Sequence, residues 1–325
     1  KLSLTVYQMR WRRNASFAWE RCWSASRPAI TVSIAGALVF SSEVQCQPKQ
    51  RFSQAATFAM SASPDMQIHC VSASPGIAVV TGGSRGIGAA ISEVLALQGY
   101  AVAVNYKASE AAADEVVARI RKSGGIASKF HGDMAVEEDI VKMFDEVQHF
   151  WPDLSLTVLV NNAGILKSGM MQEVESFQTL EQMNKESFRE IFDVNVFSAM
   201  IAAREFASRS KSGSIVNISS GSAVIGTGPY GMTKAAMNAL QAWLVKELTP
   251  RGIRVNTISP GLTKSDMTAD FLKKRPDLRM IPMNRTGEPM EIAEVVAFLV
   301  SDKASYVSGA NIRVAGGRPP GTFIG

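Results

Sequence analysis

The sequence reads Thr81-Gly82-Gly83-Ser84-Arg85-Gly86-Ile87-Gly88 between two apolar stretches, 77–80 and 89–91. An apolar strand, a glycine-rich turn and an apolar helix form the start of a βαβ unit. Glycines adopt positive φ and let the backbone approach a ligand closely, and a helix N-terminus offers free N–H groups to a pyrophosphate. The stretch predicts a dinucleotide site. Because Gly82-x3-Gly86-x-Gly88 differs from the commoner G-x-G-x-x-G spacing, a plain strand-to-helix turn is the alternative interpretation.

Apolar runs of strand length alternate with helical patterns through the rest of the chain. The predicted strands are 77–80, 100–104, 126–130, 156–160, 214–218, 253–258 and 311–314, and the helices after the first, which ends at Gly99, are 110–122, 136–150, 187–208, 230–248 and 289–299. Nearly continuous apolar strands separated by helices indicate a parallel sheet covered on both faces. We therefore predict an α/β fold, a single doubly wound (Rossmann-type) domain with about seven parallel strands and helices on both faces. Its ligands bind beyond the carboxyl ends of the strands.

The charge and the cysteines are concentrated outside this domain. The net charge is +5, and residues 1–75 hold eight basic and three acidic residues, so the remainder is balanced. The balanced charge of the domain therefore does not indicate nucleic-acid binding. All three cysteines (Cys22, Cys46, Cys70) precede residue 76 and the three histidines are widely spaced, so no thiol nucleophile and no metal site is predicted in the domain.

The first 75 residues are rich in Ser, Ala and Arg and poor in acids. They are expected to be poorly ordered, and three interpretations stay open. The segment is a mitochondrial or plastid transit peptide, a secretory signal with an apolar core at 28–40, or untranslated sequence upstream of a start at Met60 or Met66. The last of these implies a cytoplasmic protein. The apolar stretch 28–40 is too short to span a membrane. We assign 76–317 to the folded domain and 318–325 to a C-terminal tail.

Tyr230 and Lys234 stand four residues apart at the start of a predicted helix, so their side chains share one helix face. A tyrosine titrates near ~10, and a neighbouring ammonium favours the phenolate and lowers that pKa. The pair is a candidate general acid/base, although Tyr-x3-Lys on a helix is more often a surface pattern. The preceding strand ends at Ser219 and Ser220, which places hydroxyl groups at the same sheet edge as the glycine turn.

Taken together, these motifs resemble the short-chain dehydrogenase/reductase family over about residues 76–317. The matching positions, in order, are Thr81-Gly82-x3-Gly86-x-Gly88, Asn161-Asn162-Ala163-Gly164, Asn195, Ser220, Tyr230-x3-Lys234 and Pro260-Gly261. Within the family the chain is most similar to NADPH-dependent carbonyl reductases of the 3-oxoacyl-(acyl-carrier-protein) reductase and aldehyde reductase kind. The resemblance implies reduction of a ketone, an aldehyde or a 3-oxoacyl thioester by hydride transfer.

The resemblance also implies roles for single residues. Tyr230 exchanges a proton with the substrate's carbonyl oxygen. Lys234 lowers the pKa of Tyr230 and holds the nicotinamide ribose. Ser220 hydrogen-bonds the carbonyl oxygen. Asn195 supports a water in the proton relay. The implied cofactor contacts are Gly82, Ser84, Arg85, Gly86, Ile87, Gly88, Asn105, Tyr106, Lys107, Asp133 and Met134 around the adenosine and phosphates, and Asn161, Ala163, Gly164, Tyr230, Lys234, Pro260, Gly261, Thr263 and Ser265 towards the nicotinamide.

The choice between the two nicotinamide cofactors has a physical argument. An acid at the end of the second strand would bind the ribose 2′-hydroxyl and repel a 2′-phosphate. This chain has Asn105-Tyr106-Lys107 there and Arg85 inside the glycine turn. Cations and neutral donors suit a phosphate, so we predict NADP(H), with Arg85 the main determinant.

Several features depart from the family pattern. Only ten positions separate Ser220 from Tyr230, a shorter loop than usual, which raises the alternative of a catalytically impaired NADP(H)-binding sensor or subunit and makes Ser219 and Ser222 alternative serines. The segment between Gly164 and Ser187 is longer than usual, and Ala315 replaces an acid or amide.

The expected partners follow from charge and apolar surface. Residues 262–286 are expected to form a substrate lid, whose lysines and arginines suit an acyl-carrier or coenzyme A thioester or simply a solvated helix. The helices at 187–208 and 230–250 carry more apolar residues than one sheet face needs, which predicts a homodimer or homotetramer. The residues in question are Phe188, Ile191, Phe192, Phe197, Phe206, Met232, Met237, Leu240, Trp243 and Leu244.

Overall fold

Seven strands form one all-parallel sheet in the computed structural model, which describes residues 75–166, 184–225, 228–273 and 278–320. The strands are β1 (Ile77–Val80), β2 (Ala101–Tyr106), β3 (Ile126–His131), β4 (Leu156–Asn161), β5 (Gly213–Ile218), β6 (Ile253–Pro260) and β7 (Asn311–Val314). They lie in the order β3-β2-β1-β4-β5-β6-β7. The strand order changes direction between β1 and β4, because β2 and β3 lie on one side of β1 and the later strands lie on the other. Ligands of such parallel sheets bind at this point.

Helices cover both faces of the sheet. They are α1 (Gly86–Leu97), α2 (Glu110–Lys122), α3 (Glu137–Phe150), α4 (Lys185–Phe192), α5 (Ser198–Arg209), α6 (Gly228–Leu248), α7 (Asp266–Lys273) and α8 (Pro289–Val300). Side chains of α1, α2 and α8 form one buried apolar cluster with the sheet, and those of α3, α5 and α6 form the other. The predicted doubly wound fold is confirmed.

Strand β1 shows how the two cores arise from the alternation of side chains. Ala78 and Val80 face the α1 side, whereas Ile77 and Val79 face the α3 side. All four are completely buried, because both faces of a parallel sheet are covered by helices. This burial explains why the strand is apolar at every position.

Two elements differ from the predicted helices. The segment predicted as one helix over 187–208 is α4 and α5 joined by a π-helical turn at Asp193–Phe197. The lid region contains the short helix α7, which its pattern had not placed. A π-helical turn inserts one extra residue into a helix and often marks a functional site.

Some predictions fall outside the described residues. These are the N-terminal segment as far as residue 74 with its cysteines, the longer stretch at 167–183, Gly226 and Thr227 in the short loop, 274–277 in the lid and 321–325 in the tail. Within the described part of the chain, we find no helix that combines the length and the hydropathy needed to cross a membrane.

Candidate active site

The glycine turn forms a close-fitting cradle at the N-terminus of α1. Gly82 and Gly86 have φ of 60° and 53°, a region that favours glycine. A Cβ on Gly88 would lie 2.2 Å from the Gly82 carbonyl oxygen. The N-cap residue Arg85 makes no side-chain cap, and the first three residues of α1 line the adjacent cleft. Free N–H groups at a helix N-terminus suit a pyrophosphate, so the cradle fits a dinucleotide.

Two asparagines hold this turn in place. Asn105 Oδ1 accepts from the Gly82 N–H at 2.9 Å, and its Nδ2 donates to the Gly132 carbonyl at 3.1 Å. Asn162 Nδ2 donates to the carbonyls of Thr81 and Gly82 at 2.9 and 3.0 Å. Both polar atoms of the Asn105 side chain therefore hydrogen-bond the backbone and position the turn. Its predicted contact with the cofactor stays a prediction.

The two cations predicted to recognise a 2′-phosphate both line the cleft, and each has an acidic neighbour. Arg85 Nη1 lies 3.5 Å from Asp266 Oδ2 of α7, with both side chains largely exposed. Lys107 Nζ lies 2.7 Å from Asp133 Oδ2. Burial raises the pKa of Asp133, but hydrogen bonds from Lys107 and the Ala135 N–H outweigh it and lower that pKa. Lys107 is therefore more restrained than Arg85.

A cleft of about 570 Å³ runs from the glycine turn to Tyr230. It is lined by all but two of the predicted site residues: Gly82, Ser84, Arg85, Gly86, Ile87, Gly88, Asn105, Tyr106, Lys107, Asp133, Met134, Ala163, Gly164, Ser220, Tyr230, Lys234, Pro260, Gly261, Thr263 and Ser265. The carboxyl ends of β1, β2, β4, β5 and β6 thus meet in one cavity, as the topology requires.

Asn161 is one of the two exceptions: its side chain does not line the cleft, and its contact with a cofactor stays a prediction. It is 3% exposed, and its Nδ2 donates to Asn217 Oδ1 at 2.9 Å and to the Ala199 carbonyl at 3.4 Å. Strand β4 extends through Asn161, so its side chain points into the α5 side of the sheet. The next residue, Asn162, lines the cleft instead.

Asn195 is the second exception and lies in the π-helical turn. Its Nδ2 donates to the Ile165 carbonyl and to Thr233 Oγ1, both at 3.1 Å, and its Oδ1 accepts from the Ile165 N–H at 2.8 Å. The side chain therefore fastens the segment after β4 to the start of α6. Its role in a proton relay stays a prediction.

Ser220 and Tyr230 are hydrogen-bonded to each other at the substrate end of the cleft. The serine hydroxyl also accepts from the Ser222 N–H at 3.1 Å. Burial raises the pKa of Tyr230 to about 12 despite the hydrogen bond from Ser220, which acts in the opposite direction. The short loop therefore leaves Ser220 in contact with the phenol. Ser219 instead donates to the Lys234 carbonyl at 3.1 Å.

Lys234 lies one turn along α6 from Tyr230, as predicted, but it does not lower the pKa of the phenol. Its Nζ lies 5.6 Å from the centre of the Tyr230 ring and donates to the Ile218 carbonyl at 2.9 Å. Burial lowers the pKa of Lys234 to about 8. Desolvation thus shifts both groups towards their neutral forms, which corrects the expected depression of the tyrosine pKa.

Several residues that line the cleft were not predicted from motifs. They include the apolar side chains of Ile165, Leu166, Val194, Ile225, Leu262, Met267 and Phe271. Arg318, beyond the last strand, also lines the cleft. No motif marks these positions, because the fold brings them together from separate loops.

Three of the described basic residues of the lid are paired with acids of the lid or at the start of α8. Lys264 is paired with Glu288, Lys273 lies 2.8 Å from Asp270, and Arg285 lies 2.7 Å from Glu291. This pairing weakens the argument for an acidic carrier partner. Among the described residues, no group of three or more His, Cys, Asp or Glu side chains is arranged to hold a metal ion.

Comparison with known proteins places the chain among oxidoreductases of this fold. Residues 82–318 match the family described as enoyl-(acyl carrier protein) reductase. An uncharacterised oxidoreductase of Methylorubrum extorquens is 39% identical over 251 residues, 74% of this chain and 96% of that protein. The 3-oxoacyl-(acyl-carrier-protein) reductase of Staphylococcus aureus is 38% identical over 249 residues, again 74% and 96%.

A solved structure shows the same likeness in three dimensions. The short-chain dehydrogenase of Burkholderia cenocepacia, solved in complex with NADP, superposes with a TM-score of 0.66 and 31% identity over 74% of this chain and 96% of that one. The family match over residues 82–318 spans the glycine turn from Gly82 onward, the Tyr230–Lys234 helix and the last strand. The chain belongs to the short-chain dehydrogenase/reductase family of oxidoreductases.

Proposed function

We propose that this protein is an NADPH-dependent reductase that converts a carbonyl group into an alcohol, with Tyr230 as the proton donor. The observation that carries the proposal is the hydrogen bond between Ser220 and Tyr230 at one end of the cleft whose other end is the glycine cradle. A proton donor and a dinucleotide site in one cavity are the two requirements of carbonyl reduction by a nicotinamide. The S. aureus relative is named for such a reduction.

The chain's own residues account for cofactor binding. The N–H groups at the start of α1 would hold the pyrophosphate, and Arg85 and Lys107 would pair with a 2′-phosphate. Thr263 and Ser265, after Pro260-Gly261, would reach the carboxamide. When bound, NADPH supplies the hydride. The Burkholderia relative was solved with NADP, which supports this choice of cofactor.

Tyr230 is protonated at neutral pH, which lies well below its pKa of about 12. It can therefore act as an acid as negative charge develops on the carbonyl oxygen. The Ser220 hydroxyl would donate to the same oxygen. The carbonyl carbon gains the hydride, its oxygen gains the phenol proton, and the phenolate regains a proton from water. Lys234, one turn along α6, would hold the nicotinamide ribose.

The alternative function is an NADP(H)-binding sensor or subunit without turnover, suggested by the short loop before Tyr230. The contact between Ser220 and Tyr230 favours catalysis over this alternative, because a displaced serine was the reason for expecting impairment.

Steady-state kinetics with purified full-length protein separates the two. NADPH and NADH are each offered with ketones, aldehydes and 3-oxoacyl thioesters, and the alcohol product is identified by chromatography. Cofactor binding is measured separately by the fluorescence of NADPH. Alcohol formed at the expense of NADPH supports the reductase. Tight NADPH binding with no alcohol from any carbonyl would overturn it in favour of the sensor.

A further inference from the structure

Arg85 of the glycine turn has an acidic neighbour on the lid. Its Nη1 lies 3.5 Å from Asp266 Oδ2, and both residues line the cleft. Asp266 is the first residue of α7 and was not among the predicted site residues. Arg85 is the proposed main determinant of NADPH binding, because its guanidinium would pair with the 2′-phosphate. The acid beside it therefore bears on the choice of cofactor.

The backbone before α7 holds Asp266 against the glycine turn. Thr268 Oγ1 donates to the Thr263 carbonyl at 2.6 Å and accepts from the Ser265 N–H at 3.1 Å. These bonds fold the residues on either side of Asp266 into a compact turn. A Cβ on Gly86 would lie 3.4 Å from Ser265 Cβ, so this turn lies directly against the glycine turn.

The exposure of the pair sets the size of its effect. The side chains of Arg85 and Asp266 are 61% and 72% exposed, so the pair contributes little to the stability of the fold. The carboxylate nevertheless offsets the positive charge that a 2′-phosphate would meet. A phosphate bound by Arg85 either displaces the carboxylate or lies close to a like charge, and both weaken binding. NADH has a hydroxyl in place of this phosphate and escapes the effect.

The second candidate cation has an acidic neighbour of a different kind. Lys107 lies 2.7 Å from Asp133, and that carboxylate also accepts from the Ala135 N–H at 2.9 Å. The family resemblance implies that Asp133 contacts the cofactor, so its substitution would remove that contact together with the charge. Asp266 has no such implied contact. It is therefore the acid through which the choice of cofactor can be changed separately.

We infer that Asp266 is a specificity-determining residue that weakens the preference of this protein for NADPH over NADH, because its carboxylate competes with the 2′-phosphate for Arg85. The inference rests on the proposed binding of NADPH and adds a second determinant to it. Removal of the charge on Asp266 should tighten the binding of NADPH and leave that of NADH unchanged. The gain requires Arg85, since the two anions compete for its guanidinium.

The test is a double-mutant cycle on binding, which needs no turnover. Kd values for NADPH and NADH are measured on the full-length protein at low salt by the fluorescence of the reduced nicotinamide. We expect Asp266→Asn to raise the preference for NADPH about two- to fivefold, the range of an exposed charge pair, through the NADPH value alone. In the Arg85→Gln background the same substitution should change the preference by less than about 1.5-fold.

Asp270→Asn is the matched control, since it removes the same charge from the same helix one turn farther along. Asp270 pairs with Lys273 at 2.8 Å and does not line the cleft. Its preference should stay within about 1.5-fold of wild type, because water screens exposed charges. Asp266→Glu keeps the charge and should keep the wild-type preference.

Three results would overturn the inference: an unchanged preference in Asp266→Asn, an equal gain in Asp270→Asn, or an undiminished gain without Arg85. Equal losses of NADPH and NADH binding in Asp266→Asn would also overturn it, because they would show a structural role for the residue. The proposed reaction fails in a different way. NADPH binding without reduction of any carbonyl would overturn the reductase proposal and leave this inference standing, whereas a wild-type protein that binds neither cofactor would overturn both.

Discussion

Tyr230 and Lys234 show how one environment acts on two different acids. Lys234 is buried and Tyr230 is partly buried at the cleft, and burial disfavours whichever form is charged. The tyrosine pKa therefore rises to about 12 and the lysine pKa falls to about 8. The phenol keeps its proton across the working range, and the lysine is the group whose charge changes near neutrality.

The first prediction concerns pH. Because the folded pKa of Lys234 is lowered to about 8, its charge is present below that pH and lost above it. If the charged lysine holds the cofactor, kcat/KM for NADPH falls as pH rises through about 8, since this parameter reports the free enzyme. Lys234→Arg keeps its charge at higher pH and should move the fall upward. A wild-type profile that is flat from neutral pH to pH about 9.5 would contradict the assignment of this group.

The second prediction concerns Arg85. The ion-pair partner of its guanidinium in the described part of the chain is the exposed Asp266 at 3.5 Å, which leaves it available to a 2′-phosphate. Arg85→Gln should lower the preference for NADPH over NADH about tenfold or more, measured as the ratio of their kcat/KM values. Lys107→Gln is the comparison variant. Its smaller expected effect follows from the 2.7 Å contact of Lys107 with Asp133. A larger loss in Lys107→Gln than in Arg85→Gln would reverse our ranking of the two residues.

At the scale of elements, α5 is tied to α3 by an ionic network around Glu205. The Glu205 carboxylate, on a residue that is 8% exposed, pairs with Arg204 and Arg209 on its own helix. Arg204 and Arg209 also reach Glu137 and Asp145 of α3 at 2.8 and 2.6 Å. Burial opposes ionisation of Glu205, but both arginines outweigh it and lower its pKa. The carboxylate therefore stabilises the fold above its unfolded pKa, and this contribution is lost as pH falls.

The third prediction follows from this network. Glu205→Gln leaves the half-buried Arg209 with one fewer counter-charge, and we expect it to lower the free energy of unfolding by about 1–3 kcal/mol in urea titrations. Glu146→Gln on α3 breaks an exposed pair with Lys142 at 3.7 Å and should change stability by less than about 0.5 kcal/mol. Equal effects from the two substitutions would show that the network contributes no more than a surface ion pair.

At the scale of the whole molecule, the sequence predicts the sheet better than the site. All seven strands were placed. The five central strands are mostly buried because helices cover both faces, whereas the edge strands β3 and β7 also carry polar and exposed residues. The site depends on finer features. Strand β4 is one residue longer than predicted and includes Asn161. Because strand side chains alternate, Asn161 points into the core and Asn162 into the cleft. Arg318 follows the last strand without a motif and reaches the site only through the fold.

The apolar residues predicted as oligomer contacts divide into buried and exposed groups that their sequence pattern does not separate. Of the residues taken as oligomer contacts, five are buried within the chain: Ile191, Phe206, Met237, Leu240 and Leu244. Phe197, Met232 and Trp243 are 46%, 51% and 52% exposed. Periodicity cannot distinguish a face that packs on the sheet from one that packs on a partner, since both are apolar. The second group remains the candidate contact surface.

The fourth prediction is therefore that the protein is a homo-oligomer through this surface. Light scattering should give at least twice the chain mass of 35.0 kDa, and Trp243→Glu should lower the measured mass at micromolar concentration. Leu97→Glu is the control, because Leu97 is 72% exposed on α1, which covers the opposite face of the sheet. A wild-type protein with the mass of one chain would contradict this prediction.

The central claim is that Tyr230 supplies the proton in NADPH-dependent carbonyl reduction, and Tyr230→Phe tests it most directly. The substitution removes one oxygen from a ring that the helix already positions, so NADPH should still bind with a Kd within about threefold of wild type. We expect kcat for reduction of an accepted carbonyl to fall by at least about 100-fold, the usual effect of losing a general acid. Wild-type turnover by Tyr230→Phe, with unchanged NADPH binding, would contradict the claim.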